Sequence, residues 1–319
     1  MTRRVRSKKA PRKPLFILDW YVHQGHQYEF YKTGHRFHLT DIDGSIPKWN
    51  SAHRPLNKNV TPMYELNAKQ YKYDIVMVRS PLNAKRYTRF VNKGARGIAV
   101  VQTTTPFPIP GWVNHVVWNS YVSMKKYSGQ FPSKKHYYIP HGYNPNEFKN
   151  LNIERNQRVL TIANVFKGRR KIMGYDIWKK ISQELEICDV FGHGNKDMPG
   201  KVRRADTFDE LIKIYNSYSI FLNTTLESAM PRTRAEAAMC ACPIVSTNNY
   251  DIGMYFKHRK NAILTNDTSE MIRGINDLLG SEQMRKDYGN MAREVAIKNF
   301  GLKAYLEKWD RVFKGVWAA

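Results

Sequence analysis

The apolar positions of this chain cluster in short uninterrupted runs instead of alternating with polar ones. Residues 15–19 (LFILD), 74–79 (DIVMVR), 98–101 (IAVV), 159–163, 186–191 and 220–222 read as parallel strands buried on both faces, with shorter strands at 37–39, 116–117 and 243–245. Residues 207–215, 269–279, 281–300 and 302–313 carry helical periodicity, the last strongly amphipathic. Strand and helix alternate along the chain, the pattern of an α/β protein with parallel sheets. Its 319 residues are enough for two domains of about 150 residues each.

One polar interruption in this pattern carries candidate chemistry. After the strand at 220–222, Pro231, Arg232, Thr233 and Arg234 precede a helix beginning near Arg234. Free backbone N–H groups, the positive helix end and two guanidinium groups converge there, which suits a phosphate. An ordinary buried helix start would explain the neighbouring apolar residues but not the arginines.

The same stretch resembles the signature of retaining GT-B glycosyltransferases of the GT4-like group. In that family one Glu stands before the loop and a second opens the helix, followed by an EAMA-G-PVV pattern. Glu236, Ala237, Ala238, Met239, Ala241, Pro243, Ile244 and Val245 carry the match. Glu227 lies one residue further from Glu236 than the family spacing, and Ala241 occupies the usual Gly. Earlier, Gly25 and Glu29 resemble the family's P-x-G-G-x-E motif, with His26 in place of the second Gly, while Gly34, His35 and Phe37 resemble its GH-x-V. The segment YYIPHGYNPNEF is similar to IP-N-GVD, with His141 for Asn. NVFKGRRKIMGYDIW is similar to the GR…KG segment, with Asn164 and Met173 roughly where the Arg and Lys belong, and Gly192 and Gly194 resemble VG-x-G.

The resemblance implies a GT-B architecture, two Rossmann-like domains facing across a cleft. It places an acceptor-binding domain at 15–150, a nucleotide-sugar domain at 151–300 and a helix crossing back at 301–319, behind a basic arm at 1–14. It implies a retaining enzyme whose co-substrate is a nucleoside diphosphate sugar such as a UDP-sugar, with no other cofactor and no catalytic metal. Glu236 is then the donor-side catalytic carboxylate. Since Asn164 and Met173 replace the family's Arg and Lys, the charge for the diphosphate is expected from the loop cations between them, Arg169 and Arg170 with Lys171, whichever of them faces the cleft, and Gly25, Gly192, Gly194, Glu227, Arg232, Thr233 and Arg234 are expected around the donor.

Charge bears on the acceptor. The net charge is +25, and residues 1–150 hold 25 basic against 7 acidic side chains, compared with 27 against 20 in residues 151–319. An excess on the acceptor side implies a polyanionic acceptor or an anionic surface. The arm at 1–14 has seven basic residues, Arg3 and Arg4 among them, and no acid, so it suits a phosphate backbone, anionic lipid or a solubilising tail. Lys85, Arg89 and Lys93 recur on one helical face beside Arg86, and phosphates would relieve their repulsion. Phe107 and Trp112, in a Thr- and Pro-rich loop, offer rings to stack on a base or sugar, or else pack on their own domain.

These features, with an Asn-, Lys- and Tyr-rich composition, point to double-stranded DNA carrying a hydroxymethyl pyrimidine, as modified by bacteriophage glycosyltransferases. A membrane-associated enzyme acting on a lipid-linked or polysaccharide acceptor at an anionic membrane surface is the alternative, and a non-catalytic nucleic-acid-binding protein a second. The sequence shows no sign of a stable protein partner. No apolar run approaches the roughly 20 residues of a membrane span, and the start lacks a signal peptide's apolar core, so a cytoplasmic protein is expected. His23, His26, His35 and His38 lack the Asp or Cys partners of a zinc site, and Cys188, Cys240 and Cys242 read as reduced core residues.

Overall fold

The computed structural model describes residues 13–198 and 202–317. Most of the basic arm, with Arg3 and Arg4, therefore lies outside the described residues. The first half runs β1 (Phe16–Trp20), α1 (Gln24–Phe30), β2 (Arg36–Thr40), β3 (Val60–Pro62), α2 (Glu65–Ala68), β4 (Ile75–Val78), α3 (Pro81–Val91), β5 (Arg96–Val101), β6 (Val113–Trp118), α4 (Tyr121–Tyr127) and β7 (Lys135–Tyr138). The second runs β8 (Asn156–Ile162), α5 (Arg170–Met173), α6 (Tyr175–Leu185), β9 (Cys188–Phe191), β10 (Val202–Arg203), α7 (Phe208–Ser217), β11 (Tyr218–Asn223), α8 (Arg232–Met239), β12 (Ile244–Ser246), α9 (Ile252–Tyr255), β13 (Ile263–Leu264), α10 (Thr268–Gly280), α11 (Glu282–Phe300) and α12 (Leu302–Trp317).

Each half is built on one parallel sheet, in the orders β3-β2-β1-β4-β5-β6-β7 and β10-β9-β8-β11-β12-β13. The winding reverses between β1 and β4 and again between β8 and β11, and such switch points open crevices at the carboxyl ends of the strands. The central strands β4 and β11 are buried at every residue, which is why they appear in the sequence as unbroken apolar runs. β3, β7 and β10 left no such trace. β3 and β10 are short strands on the sheet edges, and β7, also at an edge, has no fully buried position.

Helix starts follow local chemistry. Thr207 Oγ1 accepts from Glu210 N at 3.1 Å to open α7, and Asp267 Oδ1 accepts from Ser269 N at 2.8 Å to open α10. α8 (RTRAEAAM) is buried nearly all round, and its alanines allow that depth. It ends on Ala241 at φ 54°, the left-handed conformation that explains why a Gly is usual there.

Several contacts join the halves. α12 buries Tyr305, Trp309, Val312, Phe313 and Val316 in the core of the first sheet, beside Ile17, Phe30 and Ile75. Tyr143 N donates to Phe300 O and Leu302 N to Tyr143 O, both at 2.8 Å. The fully buried Asp251 of the second half accepts from Ser120 Oγ, Tyr121 N, Val122 N and Tyr138 OH at 2.7–3.0 Å, capping α4 from across the interface.

Candidate functional site

A cavity of about 420 Å³ lies where the carboxyl ends of both sheets face each other. The first half contributes His23 and Gly25 after β1, and Asn50, His53 and Arg54 from the loop between β2 and β3. The second contributes Asn164 after β8, Gly192 and His193 after β9, Arg204 after β10, and Arg232, Thr233 and Glu236 from α8.

Glu236 is the one carboxylate among the described lining residues. It is 5 % exposed, and its Oε2 accepts from Tyr215 OH at 2.8 Å while Oε1 accepts from Arg232 Nη2 at 3.0 Å. Burial and the facing carboxylate push the Tyr215 phenol well above its ordinary range, so it remains a donor. For Arg232, burial works against the charged form, but Tyr143 and Glu236 outweigh it and raise its pKa, and the guanidinium lies 4.9 Å from the Tyr143 ring centre. A Cβ on Gly25 would sit 3.1 Å from Arg232 Nε and 3.2 Å from His23 Cε1, so glycine lets the two halves approach there.

Behind the first half's side of the cavity three imidazoles are in contact, of which His23 reaches the lining. His26 stacks on His141 at 4.0 Å between ring centres and lies 4.5 Å from His23. Burial first, then neighbouring cations including Arg232, lowers all three, His23 to about 4. Next to them Arg79 donates from Nε and Nη2 to the two oxygens of the buried Asp19, at 2.7 and 3.0 Å.

On the opposite side, the loops after β8 and β9 are tied together. His193 N donates to Asn164 Oδ1 at 3.0 Å and Val165 N to His193 O at 2.8 Å. Val165 holds φ 49°, costly for a β-branched residue. Gly192, at φ 135°, runs so close to the chain after β8 that a Cβ would stand 2.1 Å from Ala163 O.

The cavity gathers Gly25, Gly192, Arg232, Thr233 and Glu236 from the sequence-based set. Other expected residues lie elsewhere. Arg234 is fully buried, donating to Asn223 Oδ1, Asn249 Oδ1, Thr225 O and Thr247 Oγ1 at 2.8–3.2 Å, so it fastens the loop after β11 instead of reaching the cleft. Arg169, Arg170 and Lys171 do not line the cavity, and Arg170 is paired with Asp176 on the surface, Nε to Oδ2 at 2.7 Å. Gly194, at φ 74°, packs against Val165 outside the lining. Glu227 is exposed and accepts from Thr104 Oγ1 at 3.1 Å, a bridge between the halves away from the cavity wall.

The acceptor-side expectations also change. Glu65 on α2 pairs with both Arg86 and Arg89, so a protein carboxylate already relieves the repulsion on α3. Lys93 Nζ donates to Lys69 O, and Lys85 is exposed. Phe107 and Trp112 pack on the core of their own half. Gly97 makes room for Trp112, since a Cβ there would be 2.3 Å from the indole. His35 Nδ1 accepts from Leu15 N and His38 bonds Tyr73 OH, both away from His23 and His26.

Sequence reading missed Arg54, Arg204 and Tyr215. Tyr215 stood at the end of the helical pattern at 207–215, with no motif to single it out. Arg54 stood in a loop without a motif, and nothing in its surroundings signalled a role.

The arrangement has known parallels. Its TM-score is 0.73 to a glycosyltransferase from Rickettsia africae, at 16% identity over 96% of this chain and 99% of that one. It is 0.74 to Anabaena HepE in complex with UDP and glucose, at 13% identity over 94% and 99%. The fold is GT-B. The same GT-B likeness extends to sucrose-phosphate synthase from Thermosynechococcus elongatus, with TM-score 0.71, 10% identity and coverage of 95% and 99%. Residues 166–310, which hold the α8 site, match the family described as glycosyl transferase-like. No curated protein matches the chain by sequence. Among the described residues, no helix is long and apolar enough to cross a membrane.

Proposed function

We propose that this chain is a glycosyltransferase that takes its sugar from a nucleoside diphosphate sugar bound in the cavity between the two sheets. The observation that carries the reading is the pairing of Arg232 with Glu236 at the start of α8, facing an inter-sheet cavity in a GT-B fold. The α8 N-terminus and Arg232 offer charge and N–H groups to phosphate, and Glu236 offers acceptor oxygens to sugar or ribose hydroxyls. HepE, with the same fold, has been crystallised with UDP and with UDP-glucose.

In the reaction the sugar's bond to the diphosphate breaks, a bond to the acceptor oxygen forms, and the acceptor proton leaves with the diphosphate. Negative charge grows on the leaving group, so cations held ready around it stabilise the transition state more than the ground state. We propose retention of anomeric configuration, in keeping with the resemblance of 236–245 to retaining enzymes. Glu236, already bonded to Tyr215 and Arg232, holds the donor and is not the acceptor's base.

For the acceptor we propose a polyanion, with duplex DNA carrying a hydroxymethyl pyrimidine as the substrate to assay first. The support is the concentration of surplus positive charge in the first half of the chain. The test is to incubate the protein with hydroxymethylcytosine DNA and a pool of nucleotide sugars, then weigh the digested nucleosides. A hexose or pentose mass on the modified base alone is the expected result. Transfer to a lipid extract instead would remove DNA and leave glycosyl transfer standing, whereas no transfer or donor hydrolysis with any acceptor would overturn the enzyme reading.

A further inference from the structure

We infer that Arg54, carried by the loop between β2 and β3 of the acceptor-side half, is a diphosphate-holding cation, in the role the sequence pattern suggests for Arg169, Arg170 and Lys171. The inference rests on the donor reading above and names one of its binding groups.

The loop around Arg54 is pinned to both halves of the molecule. Trp49 Nε1 donates to Arg54 O at 2.6 Å, Gln24 Nε2 reaches Asn50 O at 2.5 Å, and Phe208 N at the start of α7 donates to Ala52 O at 3.1 Å. The side chain is 5 % exposed and lines the cavity. Its guanidinium carbon lies 3.8 Å from the ring centre of Phe208 and 5.5 and 5.7 Å from those of Phe148 and Tyr28, an aromatic cradle that orients the fork while excluding water.

Its charge is poorly answered by the protein. Nη1 donates to His53 O at 2.7 Å, and Nε has no partner among the described residues. The carboxylate paired with it, Glu236, stands 3.9 Å from Nη2 and already accepts from Arg232 and Tyr215, while Glu29 and Glu147 act on its charge from further away and are themselves shared with Lys32. Burial, the largest influence, lowers the pKa of Arg54, the mark of a desolvated cation.

Among the described lining residues, Arg54, Arg204 and Arg232 face one carboxylate, an excess of two positive charges. The diphosphate of a nucleotide sugar carries one negative charge on each phosphate and matches that excess. Among the described residues the buried Nε is unpaired and Nη2 has only the Glu236 oxygen at 3.9 Å, so this side of the guanidinium still has donors for a phosphate oxygen, a group that Arg binds with two parallel hydrogen bonds. Because Arg54 and Arg232 belong to opposite halves, the donor is clamped by both.

The test is titration of the full chain with UDP and, by NMR for weak binding, with uridine, using wild type, Arg54→Gln, Arg54→Lys and Arg170→Gln. UDP affinity is expected to fall about tenfold or more in R54Q, with uridine affinity unchanged, part of the loss restored in R54K, and R170Q equal to wild type. Wild-type UDP affinity in R54Q overturns the inference. So does an equal loss for UDP and uridine, which would mark a structural role, or an R54K protein no better than R54Q. A wild-type chain that binds none of UDP, GDP and ADP removes the donor reading itself, a different result from any of these.

Discussion

Arg232 and Arg234 stand two residues apart in one helix turn, yet they serve different parts of the molecule. Arg232 meets Glu236 at the cavity wall, while Arg234 is enclosed among uncharged oxygens of Asn223, Thr225, Thr247 and Asn249. The cause is helical geometry. Two residues advance roughly 200° around an α-helix, so side chains at i and i+2 leave on nearly opposite faces. One arginine is available to a ligand, and the other holds the loop beneath it. Burial lowers the Arg234 pKa to about 9, which still leaves it charged at neutral pH. The lesson extends outward: Arg170 and Asp176 are paired in solvent, and the half-exposed Arg86 is paired with the buried Glu65, so their charges are already answered.

The contrast is sharpest at Arg234. Replacing it with Ala should cost about 3 kcal/mol or more of stability, because it strands several buried acceptors and leaves a void. Chemical denaturation reads this directly, and a loss under 1 kcal/mol would mean that the loop does not depend on it. For Arg232→Gln the reverse is expected, with stability within about 1 kcal/mol of wild type and UDP affinity about tenfold or more weaker. If R232Q instead unfolds like R234A, the division between the two arginines disappears.

Buried histidines offer a pH handle on the fold. His38 is pushed down to about 4, chiefly by burial, and burial also lowers His141 well below its ordinary value. In the unfolded chain both titrate near 6.5. A group whose folded pKa is depressed gives stability that is full above its unfolded pKa and is lost as pH falls toward the folded one. Each should therefore cost about 1.4 kcal/mol per pH unit below about 6.5 while it stays neutral in the fold. Melting temperature should drop between pH 7 and pH 5, and less steeply in His38→Asn. A flat profile over that window contradicts the neutral imidazoles. The smallest effect belongs to Arg170→Gln, expected within about 0.5 kcal/mol of wild type in stability because its ion pair is exposed. A clear fall in UDP affinity there would return the α5 cations to the site.

Much of the fold was legible because buried parallel strands leave continuous apolar runs and amphipathic helices leave a 3.6-residue stripe. The runs at 74–79, 98–101 and 220–222 became β4, β5 and β11, and the pattern at 302–313 became part of α12. Edge strands were missed, since β3, β10 and β13 are two or three residues long and β7 is only partly buried, so they leave little apolar trace. Of the site, the half built on α8 could be read because Glu236 and its neighbours form a contiguous pattern. The other half could not. Arg54 reaches the cavity through Trp49, Gln24 and Phe208, contacts that span 5, 30 and more than 150 residues.

By itself, then, the sequence determined the alternation of strand and helix, the α/β class and the placing of a phosphate-suited helix start near Glu236, all of which depend on neighbours along the chain. Tertiary structure decided which cations remain unanswered. It gave Glu65 to Arg86 and Arg89, Asp176 to Arg170 and four neutral oxygens to Arg234, while leaving Arg54 and Arg232 to share Glu236. A charge acts according to its partners and its access to water, and both are set by residues far away in sequence.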